Sequence, residues 1–138
     1  MNIEALAERV EELDGDTRFF GEVEKEIALA LGWTHHVEQH DDQMTDDVWT
    51  SPDGTTHAWW PFCLRSLDAA MTLVPKGRYL RLTQVRFGMW QAELWHTDKS
   101  VKSLADVNVL AAAPAIAITA AVLRARHTTT APQEAKDG

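Results

Sequence analysis

The segment that most constrains the fold is APAIAITAAVLRAR, residues 113–126. Pro114 suits the first turn of a helix, where the N–H that proline lacks has no helical partner. The apolar residues that follow leave this helix almost no polar face: Ile116, Ala117, Ala120, Val122 and Leu123. Such a helix must be buried on more than one side, so other elements have to surround it.

Two more helices are predicted near the amino terminus, joined as an antiparallel hairpin. The first ends near Gly15 and the second at Gly32, with Asp14 or Asp16 as the cap of the second. Their apolar stripes are Ile3, Leu6, Val10 and Leu13, then Phe19 or Phe20, Val23, Ile27 and Leu31. Residues 34–47 show no sustained period and are predicted to be an acidic loop that carries histidines.

Turn signals predict a short hairpin in the middle of the chain. Pro-Asp-Gly at residues 52–54 suits a tight turn. The hairpin would bring Trp49 toward the adjacent Trp59 and Trp60. We therefore expect the three indoles to lie close together.

The next segments predict a short helix and a strand pair. Ser66 can cap a helix of about two turns, which Pro75 ends because proline disfavours helical geometry in the residue before it. YLRLTQV at 79–85 and MWQAELWH at 89–96 alternate in polarity and predict two antiparallel strands. Arg81 is expected on the strand face opposite Leu80 and Leu82.

The order αα, hairpin, α, ββ, α predicts an α+β fold, with a small antiparallel sheet sandwiched between helices in α/β/α layers. A chain of 138 residues fits one domain. We expect that domain to span residues 1–126. Residues 127–138 lack apolar anchors and are expected to be a disordered tail.

Charge and composition narrow the function. The first 60 residues hold 15 acidic residues against 3 Lys or Arg, so general nucleic-acid binding is not expected. No apolar stretch reaches the roughly 20 residues that cross a bilayer. Cys63 is the single cysteine, and the opening lacks a secretory signal. We expect a cytoplasmic protein without a membrane partner.

A family resemblance rests on the order of four stretches: WTSPDG, the run from Pro61 through SLDAAMTLVP, MWQAELWH and APAIAITAAVLRAR. Over residues 17–126 the chain resembles the phage ABA sandwich domain family. One departure is Ala113, where a capping Ser or Thr is expected. The resemblance implies an α/β/α sandwich and a phage or prophage gene, and it brings no established activity.

Two catalytic interpretations were weighed against structural ones. His35, His36, His40 and His57, with the aspartates around them, have the donor types of a zinc site but no recognised ligand spacing. Cys63 lies between Phe62 and Leu64, as a small buried apolar residue does. We expect no metal, no cofactor and no enzyme activity; a zinc-dependent enzyme is the weakest alternative.

The remaining candidates point to binding. Tryptophan is common both in cores and in interfaces, and adjacent Trp59 and Trp60 cannot both face inward from a strand. Trp95 lies on the strand face opposite the apolar Trp90, Ala92 and Leu94, so a helix covers it or a partner contacts it. The candidate binding residues are Trp49, Trp59, Trp60, Arg65, Arg81 and Trp95.

These residues favour a non-enzymatic phage or prophage accessory protein that binds a protein partner or forms a homo-oligomer. The alternative is a small-molecule binder that sequesters a cyclic nucleotide signal, with Arg65 or Arg81 beside an exposed indole. The structural interpretation of the arginines is charge balance against the acidic helices.

Overall fold

The computed structural model describes residues 2–13, 20–39, 41–96 and 107–137. Within these ranges, helices and strands follow one another in two groups. The first group is α1 (Ile3–Glu11), α2 (Phe20–Ala30), β1 (Thr34–Gln39), β2 (Thr45–Thr50) and β3 (Thr56–His57). The second is α3 (Leu67–Met71), β4 (Arg78–Arg86), β5 (Met89–His96), β6 (Val107–Ala111) and α4 (Pro114–Asp137).

Helix α4 forms the centre of the core, as its lack of a polar face predicts. Ile116, Ile118 and Leu123 are fully buried. The helix packs against α1 and α3 and against strands β5 and β6. It begins at Pro114 without a capping side chain, and the carbonyl of Ala113 accepts from the Ala117 N–H at 2.9 Å.

Sheet B contains β4, β5 and β6 in that order, all antiparallel. The predicted strand pair is confirmed, with Leu80 opposite Leu94 and Leu82 opposite Ala92. Strand β6 was not predicted, although Val107, Val109 and Ala111 alternate inward as a half-buried strand requires. The inner face of sheet B lies against α4.

Sheet A contains β1, β2 and β3 in that order, also antiparallel. The loop predicted over residues 34–47 is wrong, because most of this segment forms the β1–β2 hairpin. All six residues of β1 are exposed, so no apolar alternation marks the strand. The predicted turn at residues 52–54 is confirmed, and it joins β2 to β3 with Trp49 opposite His57.

The helix predictions hold with corrections. Ser66 caps α3 by accepting from the Ala69 N–H at 3.2 Å. Helix α1 makes its most extensive contacts with α4 rather than with α2. The proposed caps Asp14 and Asp16 lie outside the described residues. Helix α4 continues past Arg126 to Asp137 through residues that favour helices, while the disordered tail expected over 127–138 stays a prediction.

The predicted α+β class is confirmed: helices pack against small antiparallel sheets, of which there are two rather than one. In the part of the chain that the structure describes, no helix combines the length and hydrophobicity of a membrane span.

Candidate binding site

Three tryptophans meet beside the β2–β3 turn and differ sharply in exposure. Trp49 is 3% exposed, and its ring centroid lies 5.9 Å from that of Trp60 in an edge-on contact. Trp59 is 62% exposed and lies 6.0 Å from Trp60. The adjacent indoles therefore differ as expected: Trp60 joins Trp49, and Trp59 faces solvent.

A buried carboxylate fixes the orientation of Trp60. Glu24, on α2, is fully buried and accepts from the Trp60 Nε1–H at 3.2 Å. It also accepts from the Leu64 N–H at 3.0 Å and from Arg65 Nη2 at 2.5 Å. Buried charges need such partners. Glu24 thus holds the segment that carries Trp60, Leu64 and Arg65 against α2.

Cations complete the packing around this network. The Lys25 Nζ lies 4.5 Å from the Trp60 ring centroid, and the Arg65 guanidinium carbon lies 4.5 Å from that of Phe62. Trp60 meets Phe62 edge-on at 5.5 Å. Trp60 is therefore held by a hydrogen bond and by ring contacts together, and it forms a rigid wall.

A cleft of about 820 Å³ opens beside this wall, and we call it the aromatic cleft. Its volume falls in the usual range of ligand pockets. Aromatic side chains and the α3–α4 region line most of it, including Trp33, Trp59, Trp60, Phe62, Leu73, Val74 and Val122. The titratable side chains at its edge are Asp53, His57, Arg78 and Arg126. The cleft suits an apolar group with a polar flank.

A second depression, of about 510 Å³, lies next to the aromatic cleft. Asp46 and Asp47 line it, and His57 and Trp59 line both cavities. His57 also contacts Trp33, with ring centroids 5.2 Å apart. Trp59 and His57 therefore form a ridge between an apolar cleft and an acidic depression.

Asp53 gives the cleft edge a fixed negative charge. Its carboxylate accepts hydrogen bonds from the Ser51 hydroxyl and from the Thr55 N–H. These bonds stabilise the ionised form and lower the pKa of Asp53 from 3.8 to about 2. The group is ionised at neutral pH.

The structure places the predicted site residues on two surfaces. Trp49, Trp59, Trp60 and Arg65 come together, although Arg65 is paired with Glu24. Arg81 and Trp95 point to the outer face of sheet B, the face away from α4. There, Trp95 stacks on Tyr79 at 6.5 Å and Arg81 lies 3.9 Å from Glu93, so these two residues are not part of the cleft.

Sequence reasoning missed Glu24 and Phe62. A signal for Glu24 exists, because a glutamate four residues after Phe20 falls on the apolar stripe of α2. A charged residue in that position needs a buried partner. The identity of that partner, 41 residues away at Arg65, is set by the tertiary fold.

The catalytic alternatives gain little from the geometry. His35 Nε2 lies 2.8 Å from Asp47 Oδ1, and His36 Nε2 lies 3.2 Å from Glu38 Oε1. His40 lies outside the described residues, and among those described no group of three or more His, Cys, Asp and Glu could hold a metal. Cys63 is buried; burial and, secondarily, the charge of Glu24 raise its pKa to about 12.

Comparisons with family models, curated proteins and solved structures give no match. The resemblance to the phage ABA sandwich domain family stays a prediction. The functional argument therefore rests on the site's own geometry.

Proposed function

We propose that this protein acts by binding a partner protein rather than by catalysis, and that the aromatic cleft receives an apolar side chain of that partner. The observation that carries the proposal is the contrast between Trp59 and Trp60. Trp60 is locked to Glu24, whereas Trp59 is 62% exposed at the edge of a cleft of about 820 Å³.

Preorganisation supports this role. A binding site loses less entropy on association when its walls are already fixed. Glu24 and the ring contacts fix Trp60, so Trp59 needs little rearrangement to close over a bound side chain. Exposed tryptophans beside rigid pockets are typical interface anchors, which contribute about 2 kcal/mol or more.

The charges around Trp59 favour a basic partner segment. Asp46 and Asp47 line the depression on one side of the indole, and ionised Asp53 borders the cleft on the other. A Lys or Arg next to an apolar anchor would meet these carboxylates and the indole face. The proposed partner motif is therefore an apolar residue followed or preceded by a basic one.

A nucleotide ligand is the second candidate, because Arg78 and Arg126 line the same cleft as Trp59. A base can stack on the indole while guanidinium groups contact a phosphate. This assignment replaces Arg65, which pairs with Glu24, and Arg81, which lies on sheet B. A phage or prophage origin and a cytoplasmic location are also proposals, supported by the sequence resemblance and composition.

Selection of peptides from a random display library on the wild-type protein tests the proposal. Peptides that carry an apolar anchor beside Lys or Arg should be enriched, and their Kd should rise roughly 30-fold in Trp59→Ala, as loss of about 2 kcal/mol requires. Phe87→Ala is the matched control, because Phe87 is 99% exposed in the β4–β5 turn away from the cleft.

The outcome also separates the two ligand classes. Trp59→Ala should keep the wild-type melting temperature, whereas Trp60→Ala should lower it because Glu24 loses a partner. Enriched peptides that bind Trp59→Ala as well as they bind the wild type would contradict the proposal. Saturable binding of a cyclic nucleotide that needs Trp59 and Arg126, with no enriched peptide, would favour the second candidate.

A further inference from the structure

Strand β1 is an exposed edge with acidic surroundings. It is the outermost strand of sheet A and pairs only with β2 among the described residues. All of its side chains are exposed, as are the first three of β2. Residues 34–50, which we call the acidic hairpin, contain five acidic residues and no Lys or Arg.

Strand β4 is an edge of the opposite charge. It is an outermost strand of sheet B and pairs only with β5 within the described part of the chain. It spans nine residues, among which Arg78, Arg81 and Arg86 are basic and none is acidic. The backbone groups along its outer edge therefore lie within a basic strand.

The two charges decide how these edges can pair. An unpaired edge strand is a template for hydrogen bonding to another chain, and like charges are the usual protection against it. Two β1 edges repel each other, as do two β4 edges. A β1 edge and a β4 edge attract each other, and the six residues of β1 fit along the nine of β4.

We propose that copies of this chain associate head to tail, with β1 of one copy adding as a strand to β4 of the next. Backbone hydrogen bonds supply the pairing, and the opposite charges select the partner edge. Because the two surfaces differ, the contact is heterologous and leads to a ring or an open filament. This assembly does not depend on the aromatic cleft.

A charge-reversal pair tests the proposal on the full chain by analytical ultracentrifugation. The first variant is Glu38→Lys with Asp42→Lys, and the second is Arg81→Glu with Arg86→Glu. Each variant alone carries two edges of the same sign, so its self-association should weaken at least about tenfold. An equimolar mixture should associate again, because each edge then finds its opposite.

Controls separate this contact from general charge effects and from the cleft. Glu8→Lys with Glu12→Lys changes the charge equally on exposed positions of α1 and should leave association unchanged. Trp59→Ala should also associate like the wild type, whereas added salt should weaken the wild-type contact. A wild-type chain that stays monomeric at every concentration, or a mixture that fails to restore association, overturns the proposal.

Discussion

Sheet A and sheet B share one plan, three antiparallel strands, but treat their side chains in opposite ways. In sheet B, Ala92, Leu94 and Val109 are buried on the face that meets α4. In sheet A, the whole of β1 is exposed, and Trp49 is the one residue of its strands that is fully buried. Sheet B belongs to the core, whereas sheet A projects from it.

This difference separates stability from recognition. Burial of apolar surface is the main favourable term in folding, so sheet B and α4 should carry most of the stability. Sheet A depends on a few anchors, chiefly Trp49 and the Glu24–Trp60 network beside it. Regions held in this way have low local stability, and binding surfaces are often drawn from them.

The largest effect should come from Leu94→Asp, which places an unpaired charge under α4. Leu94 is fully buried, so we expect loss of the cooperative unfolding transition, or a destabilisation of about 4 kcal/mol or more. Urea unfolding followed by circular dichroism measures it. If the variant does not fold, Leu94→Ala should still give about 3 kcal/mol.

The matched control for this change is Leu110→Asp, on the outer face of the same sheet. Leu110 is 48% exposed, so its replacement should change the free energy of unfolding by less than about 1 kcal/mol. Equal losses at Leu94 and Leu110 would show that both faces of sheet B are buried, and the comparison of the two sheets would fail.

A smaller effect is expected from Glu24→Ala, which removes the anchor between sheet A and the core. Breaking a buried charge network should cost about 3 kcal/mol. The NMR signal of the Trp60 indole N–H should shift, because its acceptor is lost. Glu26→Ala, which removes a surface pair with Arg9, should cost less than about 1 kcal/mol. An unchanged Trp60 signal would contradict the anchoring role.

Much of sheet B and its helices could be predicted from sequence, because burial leaves a periodic pattern. Leu80, Leu82 and Leu94 alternate, and α4 has no polar face. Ser66 also signals its helix, since a capping hydroxyl acts within three residues. These features are local or repeat with a fixed period.

The features that were missed lack such a pattern. The strands of the acidic hairpin are held by backbone pairing, and exposed side chains on both faces give no alternation. The partner of Glu24 and the α3–α4 wall of the aromatic cleft depend on distant segments meeting in the fold. The sequence did predict that Trp59 and Trp60 would differ, because adjacent residues rarely face the same way.

The smallest effect concerns Asp53 and tests how firmly the β2–β3 turn is set. Its folded pKa, about 2, lies below the ordinary 3.8, so its contribution to stability is present above pH 3.8 and is lost as the pH falls through about 2. Because the Ser51 hydroxyl is the main cause, Ser51→Ala should move the Asp53 midpoint back toward 3.8 in an NMR titration of the carboxyl group. Ser66→Ala, which removes a hydroxyl distant in sequence, is the control and should leave it unchanged. A midpoint near 3.8 in the wild-type protein would mean that the turn is not fixed in this geometry, and that the cleft edge beside Trp59 is correspondingly less preorganised.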